Sequence, residues 1–334
     1  MRYLSVCSGI EAASVAWETL GWSPVAFSEI EPFPSRVLAA RFPGVPNLGD
    51  MTKFREWDIE RGAVDLIVGG TPCQAFSVAG LRKGLEDPRG NLSLVYVAMV
   101  DHYRPEWIVW ENVPGVLSSN GGRDFGAFIG ALAHIGYGFS WRVLDAQYFG
   151  VPQRRRRVFL VGHSSGDSRR AAEVLFEPES LRGDYTKTKS QEEGRFWNGS
   201  TITQTLDAVL HKGQMMPEKN RFPVVTTGEL SFLHTNVTSM AIAQYVTLIT
   251  PSVIVLDHIK KMNMSTAKTK TATSLPVGLR KLTPIECERL QGFPDGWTDI
   301  LSNTPDSPRY KAIGNSMAVP VMRWIGNRIA ITTQ

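Results

Sequence analysis

The chain has 334 residues, 43% of them hydrophobic and 20% charged, which is enough apolar side chain to bury a sizeable core and excludes a mainly disordered protein. The formal net charge of +4 is nearly neutral, so total charge alone does not separate a nucleic-acid-binding protein from an ordinary enzyme. The three cysteines, Cys7, Cys73 and Cys287, are too few for a disulfide framework or a four-ligand zinc site, which predicts a reducing, cytoplasmic location and no metal centre.

The first half of the chain alternates short apolar runs with longer amphipathic stretches, a pattern that predicts a mostly parallel α/β sheet. Polar residues or glycines follow the predicted strands, and open α/β sheets bind ligands at the carboxyl ends of their strands. Those residues are therefore candidates for a functional site. The sequence predicts strands over 2–6, 24–28, 64–68, 107–110 and 158–161, and a helix over 12–20.

The second half predicts a different organisation. Residues 167–304 are expected to form a smaller, strand-rich domain, whereas 1–166 and 305–334 form the larger domain. The stretch 230–256 contains no aspartate, glutamate, lysine or arginine, but polar side chains and a proline interrupt it, so it predicts buried strands and no membrane span.

Helical patterns return near the end of the chain. Thr283 is predicted to be an N-cap, with Pro284 as the first helical residue and Glu286 completing a capping box. A last helix is predicted over 320–331, so we expect the chain to return to the larger domain.

Cys73 lies at the end of a predicted buried strand, directly after Pro72 and inside a glycine-flanked loop. Most cysteines are small buried apolar residues, and this segment alone leaves that interpretation open. A thiol becomes a nucleophile when positive neighbours lower its pKa, and Arg82, Lys83 and Arg89 follow in the same loop. Cys73 is therefore a candidate nucleophile.

Charged groups flank two other predicted strands. Glu111 directly follows one of them, where its carboxylate is either a solvated neighbour of a helix start or a group aimed into a pocket. Four consecutive arginines, Arg154 to Arg157, precede the other strand, and such a cluster is usually a solvated anion-binding face. Because side chains alternate along an extended chain, Arg155 and Arg157 are predicted to share one face, and either pair could point inward.

Together with several other segments, these residues resemble the DNA (cytosine-5)-methyltransferase family of bacteria and phages. The resemblance covers almost everything outside 167–279 and implies an S-adenosylmethionine-dependent, Rossmann-like doubly wound α/β sheet with a smaller target-recognition domain. The matching segments, in chain order, are Cys7-Ser8-Gly9-Ile10-Glu11, Glu29, Gly49-Asp50, Thr71-Pro72-Cys73-Gln74, Arg89-Gly90-Asn91-Leu92, Glu111-Asn112-Val113, Gln153 with Arg155 and Arg157, Arg280 with Leu282-Thr283, the run 289–294, and Gly314-Asn315-Ser316.

The resemblance implies a covalent mechanism on a cytosine flipped out of the duplex. The thiolate of Cys73 would add to carbon 6 of the ring, which makes carbon 5 nucleophilic enough to accept a methyl group. Glu111 would hold a proton at ring nitrogen 3, and Arg157, with Arg155 beside it, would bind the ring carbonyl oxygen and orient Glu111. Flipping costs a few kcal/mol, which protein contacts must supply.

The same resemblance implies S-adenosylmethionine as the methyl donor, bound at the turn after the first strand. Glu29 would accept hydrogen bonds from the ribose hydroxyls, as carboxylates at the tip of a second strand commonly do. Cys7 and Glu11 depart from the family's Phe-x-Gly-x-Gly pattern, so a side chain occupies a position that usually has none. The predicted cofactor-binding residues are Cys7, Ser8, Gly9, Ile10, Glu29, Ile30, Asp50, Met51, Pro72, Leu92, Asn315 and Ser316.

Double-stranded DNA is the expected partner. The region 259–282 carries six basic residues and no acid, a composition suited to binding backbone phosphates. The protein is expected to be a monomer, and a cognate restriction endonuclease acting separately is left open. The predicted DNA-contacting residues are Gln74, Ser77, Arg82, Lys83, Arg89, Lys260, Lys261, Lys268 and Lys270.

Two alternative functions stay open at this point. A tRNA cytosine-5 methyltransferase would use the same catalytic residues, and an inactive DNA-binding relative would keep the fold. A nicotinamide dehydrogenase is disfavoured because no Gly-x-Gly-x-x-Gly follows the first predicted strand.

Overall fold

The computed structural model describes residues 1–72, 92–177, 280–301 and 303–333 with their side chains, and 224–226 and 279 as backbone. The predicted strands in 230–256, and most of the domain expected over 167–304, therefore lie outside the described residues. Within the described residues no helix is long and apolar enough to span a membrane.

The core of the larger domain is a six-stranded sheet in the order β2-β1-β3-β4-β6-β5. Neighbouring strands from β2 to β4 run parallel, whereas β6 runs antiparallel to both β4 and β5. The strands are β1 (Arg2–Val6), β2 (Ser23–Ser28), β3 (Leu66–Gly69), β4 (Trp107–Asn112), β5 (Gly138–Asp145) and β6 (Arg156–His163). A separate antiparallel pair joins β7 (Val224–Thr226) to β8 (Leu279–Lys281).

The reversed direction of β6 positions the site. Since β6 is antiparallel to β4, its amino-terminal end lies at the sheet edge where β1, β3 and β4 reach their carboxyl ends. In the register of this pair, Asn112 faces Val158 and Glu111 faces Phe159. Arg157, one residue before Val158, is thereby brought to the end of β4.

Helices cover both faces of the sheet, because the buried strands are apolar on both sides. Along β4, the side chains of Trp107 and Val109 pack into one core cluster, and those of Ile108 and Trp110 pack into the other. This strict alternation is the pattern of a doubly wound sheet, and the predicted fold class is confirmed. The helices are α1 (Ala12–Trp17), α2 (Pro32–Arg41), α3 (Leu92–Tyr103), α4 (Arg123–His134), α5 (Ser168–Leu175), α6 (Pro284–Gln291), α7 (Asp306–Asn315) and α8 (Val319–Thr332).

Two helix ends lie where the local sequence signals predict them. The N-cap of α6 is Thr283, whose hydroxyl accepts from the backbone N–H of Glu286 while the Glu286 carboxylate accepts from the backbone N–H of Thr283. The helix predicted over 12–20 is α1 followed by a 3₁₀ turn, and it stops at Gly21, whose φ of 66° is left-handed.

Both ends of the expected smaller domain pack against the larger one. Ala171 and Val174 of α5, and Cys287 and Leu290 of α6, are buried in the same core cluster as α1 and α8. The division into two domains stays a prediction, but α5 and α6 share one hydrophobic core with α1 and α8.

Candidate functional site

A largely buried ion pair lies at the sheet edge where β4 ends and β6 begins. Nε of Arg157 is 3.1 Å from Oε1 of Glu111, and the two side chains are only 16% and 13% exposed. Burial raises the pKa of Glu111, and the positive charges of Arg157 and Arg155 oppose that rise. A carboxyl group in this setting holds a proton more readily than an exposed one, which suits a proton donor.

The four arginines from Arg154 to Arg157 alternate between two faces, as an extended chain predicts. Arg155 is 3% exposed and Arg157 is partly buried, whereas Arg154 and Arg156 are exposed. The two inward-pointing arginines nevertheless have different partners. A terminal nitrogen of Arg155 donates to the backbone carbonyls of Gly314 (3.1 Å) and Ser316 (2.7 Å), so this side chain holds the turn after α7.

Gln291 holds the same turn from another direction. Its side-chain nitrogen donates to the carbonyls of Ile313 (2.9 Å) and Ser316 (3.2 Å), and its side chain is fully buried. The turn is thus tied both to the start of β6, through Arg155, and to α6.

Cys73 lies outside the described residues, and so does its loop, but the residue two before it is firmly placed. Thr71 is 4% exposed, and its hydroxyl contacts Ser93 (2.8 Å) and accepts from the indole N–H of Trp110 (2.9 Å). The side-chain amide of Asn112 donates to the Thr71 carbonyl at 2.9 Å. These bonds tie the chain leading to Cys73 to the strand that carries Glu111.

Gly70 lets the chain pass close to Glu111. An added Cβ at this position would lie 2.9 Å from Oε2 of Glu111 and 3.3 Å from Cε of Met317. A glycine at position 70 therefore leaves room for the carboxylate of Glu111.

The turn after β1 is built from left-handed residues. Cys7, Gly9 and Glu11 have φ angles of 49°, 57° and 65°. Such angles are ordinary for glycine but uncommon at Cys7 and Glu11, where they strain the turn locally. Oε2 of Glu29, at the end of β2, accepts from the backbone N–H of Gly9 at 2.8 Å. Its other oxygen accepts from the N–H of Glu31 at 2.8 Å, so the carboxylate is held at the tip of the strand.

A cavity at this edge brings predicted cofactor and catalytic residues together. Its lining includes Cys7, Ser8 and Gly9 from the turn after β1, Glu111 with the neighbouring Gly70, and Asn315 and Ser316 at the end of α7. Further lining residues are Ser5, Val6, Glu11, Ala12, Ala13, Val68 and Met317.

The other predicted cofactor residues do not line this cavity. Met51 is buried beside Cys7, with 3.6 Å between the two sulfur atoms. Asp50 accepts from the N–H of Thr52 at 2.9 Å, and Ile30 is 69% exposed at the tip of β2. The side chain of Ile10 is fully buried in the core. Pro72 is exposed at the sheet edge, and Leu92 begins α3.

The sequence patterns did not predict the hydrogen bonds that hold the turn after β1, where the cofactor is expected to bind. The indole N–H of Trp297 donates to the carbonyl of Ile10 at 2.8 Å. The chain around Trp297 is fixed by the fully buried carboxylate of Glu288, which accepts from the N–H groups of Gly296 and Thr298 and pairs with Arg309 at 3.3 Å. No local signal reveals these bonds, because the donor and acceptor of the first lie 287 residues apart.

All the predicted DNA-contacting residues fall outside the described residues: Gln74, Ser77, Arg82, Lys83, Arg89, Lys260, Lys261, Lys268 and Lys270. Among the residues that are described, no cluster of three or more histidine, cysteine, aspartate or glutamate side chains could hold a metal ion.

Comparison with known proteins assigns the family. The family model described as C-5 cytosine-specific DNA methylase matches residues 1–330. The chain belongs to this family. Its enzyme class is therefore that of DNA cytosine-5 methyltransferases, as the sequence predicts.

Individual relatives agree with this assignment over most of the chain. The Type II methyltransferase M.HpaII of Haemophilus parainfluenzae is 28% identical over 98% of this chain and 88% of the relative. The Type II methyltransferase M.SsoII of Shigella sonnei is 30% identical over 99% of this chain and 80% of the relative. A protein of Escherichia phage P1 named DNA N-6-adenine-methyltransferase is 38% identical over 98% of this chain, but the chain spans only 61% of that protein.

Solved structures agree on the fold. The S. pombe Dnmt2 methyltransferase superposes with a TM-score of 0.60 and 17% identity, covering 99% of this chain and 98% of the other. A DNA modification methyltransferase encoded within an E. coli prophage gives a TM-score of 0.55 and 18% identity, covering 100% and 99%.

Proposed function

We propose that this chain transfers a methyl group from S-adenosylmethionine to carbon 5 of a flipped cytosine in a specific sequence of double-stranded DNA, through a covalent adduct with Cys73. The observation that carries the proposal is that Glu111, which pairs with Arg157, lines the same cavity as the turn after β1. That arrangement brings a proton donor next to the predicted cofactor turn.

The residues around the cavity fit the cofactor. Left-handed backbone at Cys7 and Gly9 exposes the turn, and the carboxylate of Glu29 is fixed beside it with lone pairs left to accept ribose hydroxyls. Asn315 and Ser316 line the same cavity. Bound S-adenosylmethionine would supply an electrophilic methyl group there.

The chain's own residues then act on the base. The Cys73 thiolate forms a bond to carbon 6, and Glu111 gives its proton to ring nitrogen 3 as electrons shift onto the ring. Carbon 5 takes the methyl group, and the sulfonium sulfur would leave as a neutral thioether. A base then removes the carbon 5 proton, the Cys73–carbon 6 bond breaks to return the thiolate, and the proton on ring nitrogen 3 goes back to Glu111. Arg157 binds the ring carbonyl and holds Glu111, while Arg155 is a positioning residue that fixes the turn at 314–316.

The substrate is proposed to be DNA, because the family and its Type II relatives are DNA methylases. The name of the phage P1 relative raises adenine N6 as a second target. Methyl transfer to an exocyclic amine needs no thiolate adduct, whereas methylation of cytosine carbon 5 does, so the predicted nucleophile Cys73 favours cytosine. The cytoplasmic location, the monomeric state and a separate partner endonuclease remain proposals.

One assay separates these targets. Purified protein is incubated with methyl-labelled cofactor and either duplex DNA or tRNA, and the modified nucleosides are identified after digestion. We expect 5-methylcytosine in DNA alone. 5-Methylcytosine confined to tRNA would support the RNA enzyme, N6-methyladenine would support the second target, and an absence of product would support the inactive relative.

A further inference from the structure

Glu11 is a buried carboxylate to which the proposed mechanism gives no role. It is 1% exposed and sits at the N-cap of α1. Oε2 accepts from the hydroxyl of Ser5 at 2.8 Å, and Oε1 accepts from the backbone N–H and the hydroxyl of Ser14, both at 3.1 Å. These bonds fix the carboxylate in one orientation.

The donors to the Glu11 carboxylate are neutral groups, so these hydrogen bonds supply no positive charge to balance it. Within the described part of the chain, no lysine, arginine or histidine lies within ion-pair distance of Glu11. Leaving an ionised carboxylate buried without a counter-ion is costly, and proteins usually pair such a group or let it take up a proton. Burial accordingly raises the pKa of Glu11 to about 7.

Glu11 also lines the cavity that the turn after β1 shares with Glu111. A ligand entering this cavity with a positive charge would supply the missing counter-ion. S-adenosylmethionine carries two such charges close together, a sulfonium and an ammonium group, both on its methionine portion.

We propose that the Glu11 carboxylate is the counter-charge for the cationic methionine portion of the cofactor. The inference rests on the proposed use of S-adenosylmethionine. It also accounts for the departure from the glycine-rich pattern: a strained, left-handed residue is kept at this position because its carboxylate binds charge.

The proposal fixes the direction of the pH dependence. A bound cation stabilises the ionised form, so the pKa of Glu11 falls on binding and protons are released. Affinity therefore rises as pH increases towards about 7. If binding lowers the pKa by about two units, affinity grows about five- to tenfold between about pH 6 and about pH 7.5.

Other titratable groups near the cavity must be separated from Glu11. The Tyr3 hydroxyl contacts Ser14, and burial raises its pKa. Burial, with the nearby charge of Glu29, raises the pKa of Cys7 to about 12, so that thiol stays neutral at neutral pH. Glu111 lines the same cavity and also has a raised pKa, which makes it the group to control for.

The test measures binding of S-adenosylmethionine and S-adenosylhomocysteine to the full chain by calorimetry, at several pH values and in two buffers of different ionisation enthalpy. Wild type is compared with Glu11→Gln, with Glu111→Gln and with Glu18→Gln, which removes an exposed carboxylate just after α1. Thermal unfolding without ligand checks that each variant is folded.

We expect Glu11→Gln to bind S-adenosylmethionine about tenfold more weakly near pH 7.5 and to lose the proton release, while Glu111→Gln keeps the release and Glu18→Gln behaves as wild type. Loss confined to S-adenosylmethionine would identify the sulfonium as the group bound, and equal loss for both ligands would identify the ammonium. Wild-type affinity and proton release in a folded Glu11→Gln variant would overturn the inference. If wild type binds neither ligand, the proposed function itself fails.

Discussion

Gly70 offers a sharp test of how closely the carboxylate of Glu111, the proposed proton donor, is packed. Replacing it with alanine adds one methyl group at the edge of the sheet, where the new Cβ would lie 2.9 Å from Oε2 of Glu111. Cε of Met317 would lie 3.3 Å away on another side, so the methyl group has little room to shift. The carboxylate must therefore move.

The size of the effect follows from that distance. An ordinary van der Waals contact between the new Cβ and Oε2 of Glu111 would be about half an ångström longer than the 2.9 Å available. Displacing a catalytic group by about 1 Å can cost on the order of 100-fold in rate, so half that shift predicts a fall in kcat of roughly tenfold. Overpacking also costs about 1–3 kcal/mol of stability.

The assay compares initial rates of labelled methyl transfer to duplex DNA at saturating cofactor, with urea unfolding measured in parallel. Gly126→Ala is the matched control, because a Cβ at this exposed position in α4 meets no atom within 4 Å. That variant should keep wild-type kcat and gain about 0.5–1 kcal/mol, since alanine is the better helix former.

A Gly70→Ala protein that is folded and turns over at the wild-type rate would refute this account of the packing. Equal losses of kcat in both glycine variants would also contradict it, because only one of them changes the space around Glu111.

Three further predictions concern the supports of the site and the DNA surface. Trp297→Phe keeps an aromatic ring but removes the donor to Ile10, so cofactor affinity measured by calorimetry should fall about three- to tenfold with kcat at saturation unchanged. The control is Trp324→Phe, which changes a tryptophan of α8 that packs against Phe149, and a similar loss there would contradict the specific role. Arg309→Met leaves the fully buried Glu288 without its cation, so urea unfolding should show a loss of about 3–5 kcal/mol, and a loss below about 1 kcal/mol would contradict the pairing. Neutralising the predicted phosphate-binding lysines should flatten the salt dependence of DNA binding, and an unchanged slope would show that they do not contact DNA. Those lysines are Lys260, Lys261, Lys268 and Lys270.

Much of the fold could be predicted because its signals are local. The strand over Arg2–Val6 is observed with the predicted bounds, and the capping box of Thr283 and Glu286 forms as its spacing requires. The sequence does not reveal β5, whose residues are mostly only partly buried, or the direction of β6. Strand direction depends on pairing between distant segments, which no local periodicity encodes.

In the site, as in the fold, features with local signals could be predicted and long-range contacts could not. Alternation alone predicts that Arg155 and Arg157 share one face, but it does not predict that this face points inward. The pair of Arg157 with Glu111 agrees with the role expected for it. The bond from Arg155 to Ser316 joins residues 161 positions apart, and Trp297 reaches Ile10 across 287. Such contacts arise only when the folded sheet and helices bring distant segments together.

The central claim is that Cys73 forms a covalent bond to the target cytosine. Duplex DNA that contains 5-fluorocytosine at the target site tests it directly, because fluorine at carbon 5 cannot be removed as a proton and the adduct is trapped once the methyl group has been transferred. We predict a denaturation-resistant protein–DNA complex that requires S-adenosylmethionine, forms with wild type and is absent with Cys73→Ser. Undiminished trapping by Cys73→Ser, or methylation of cytosine carbon 5 by that variant at the wild-type rate, would contradict the account.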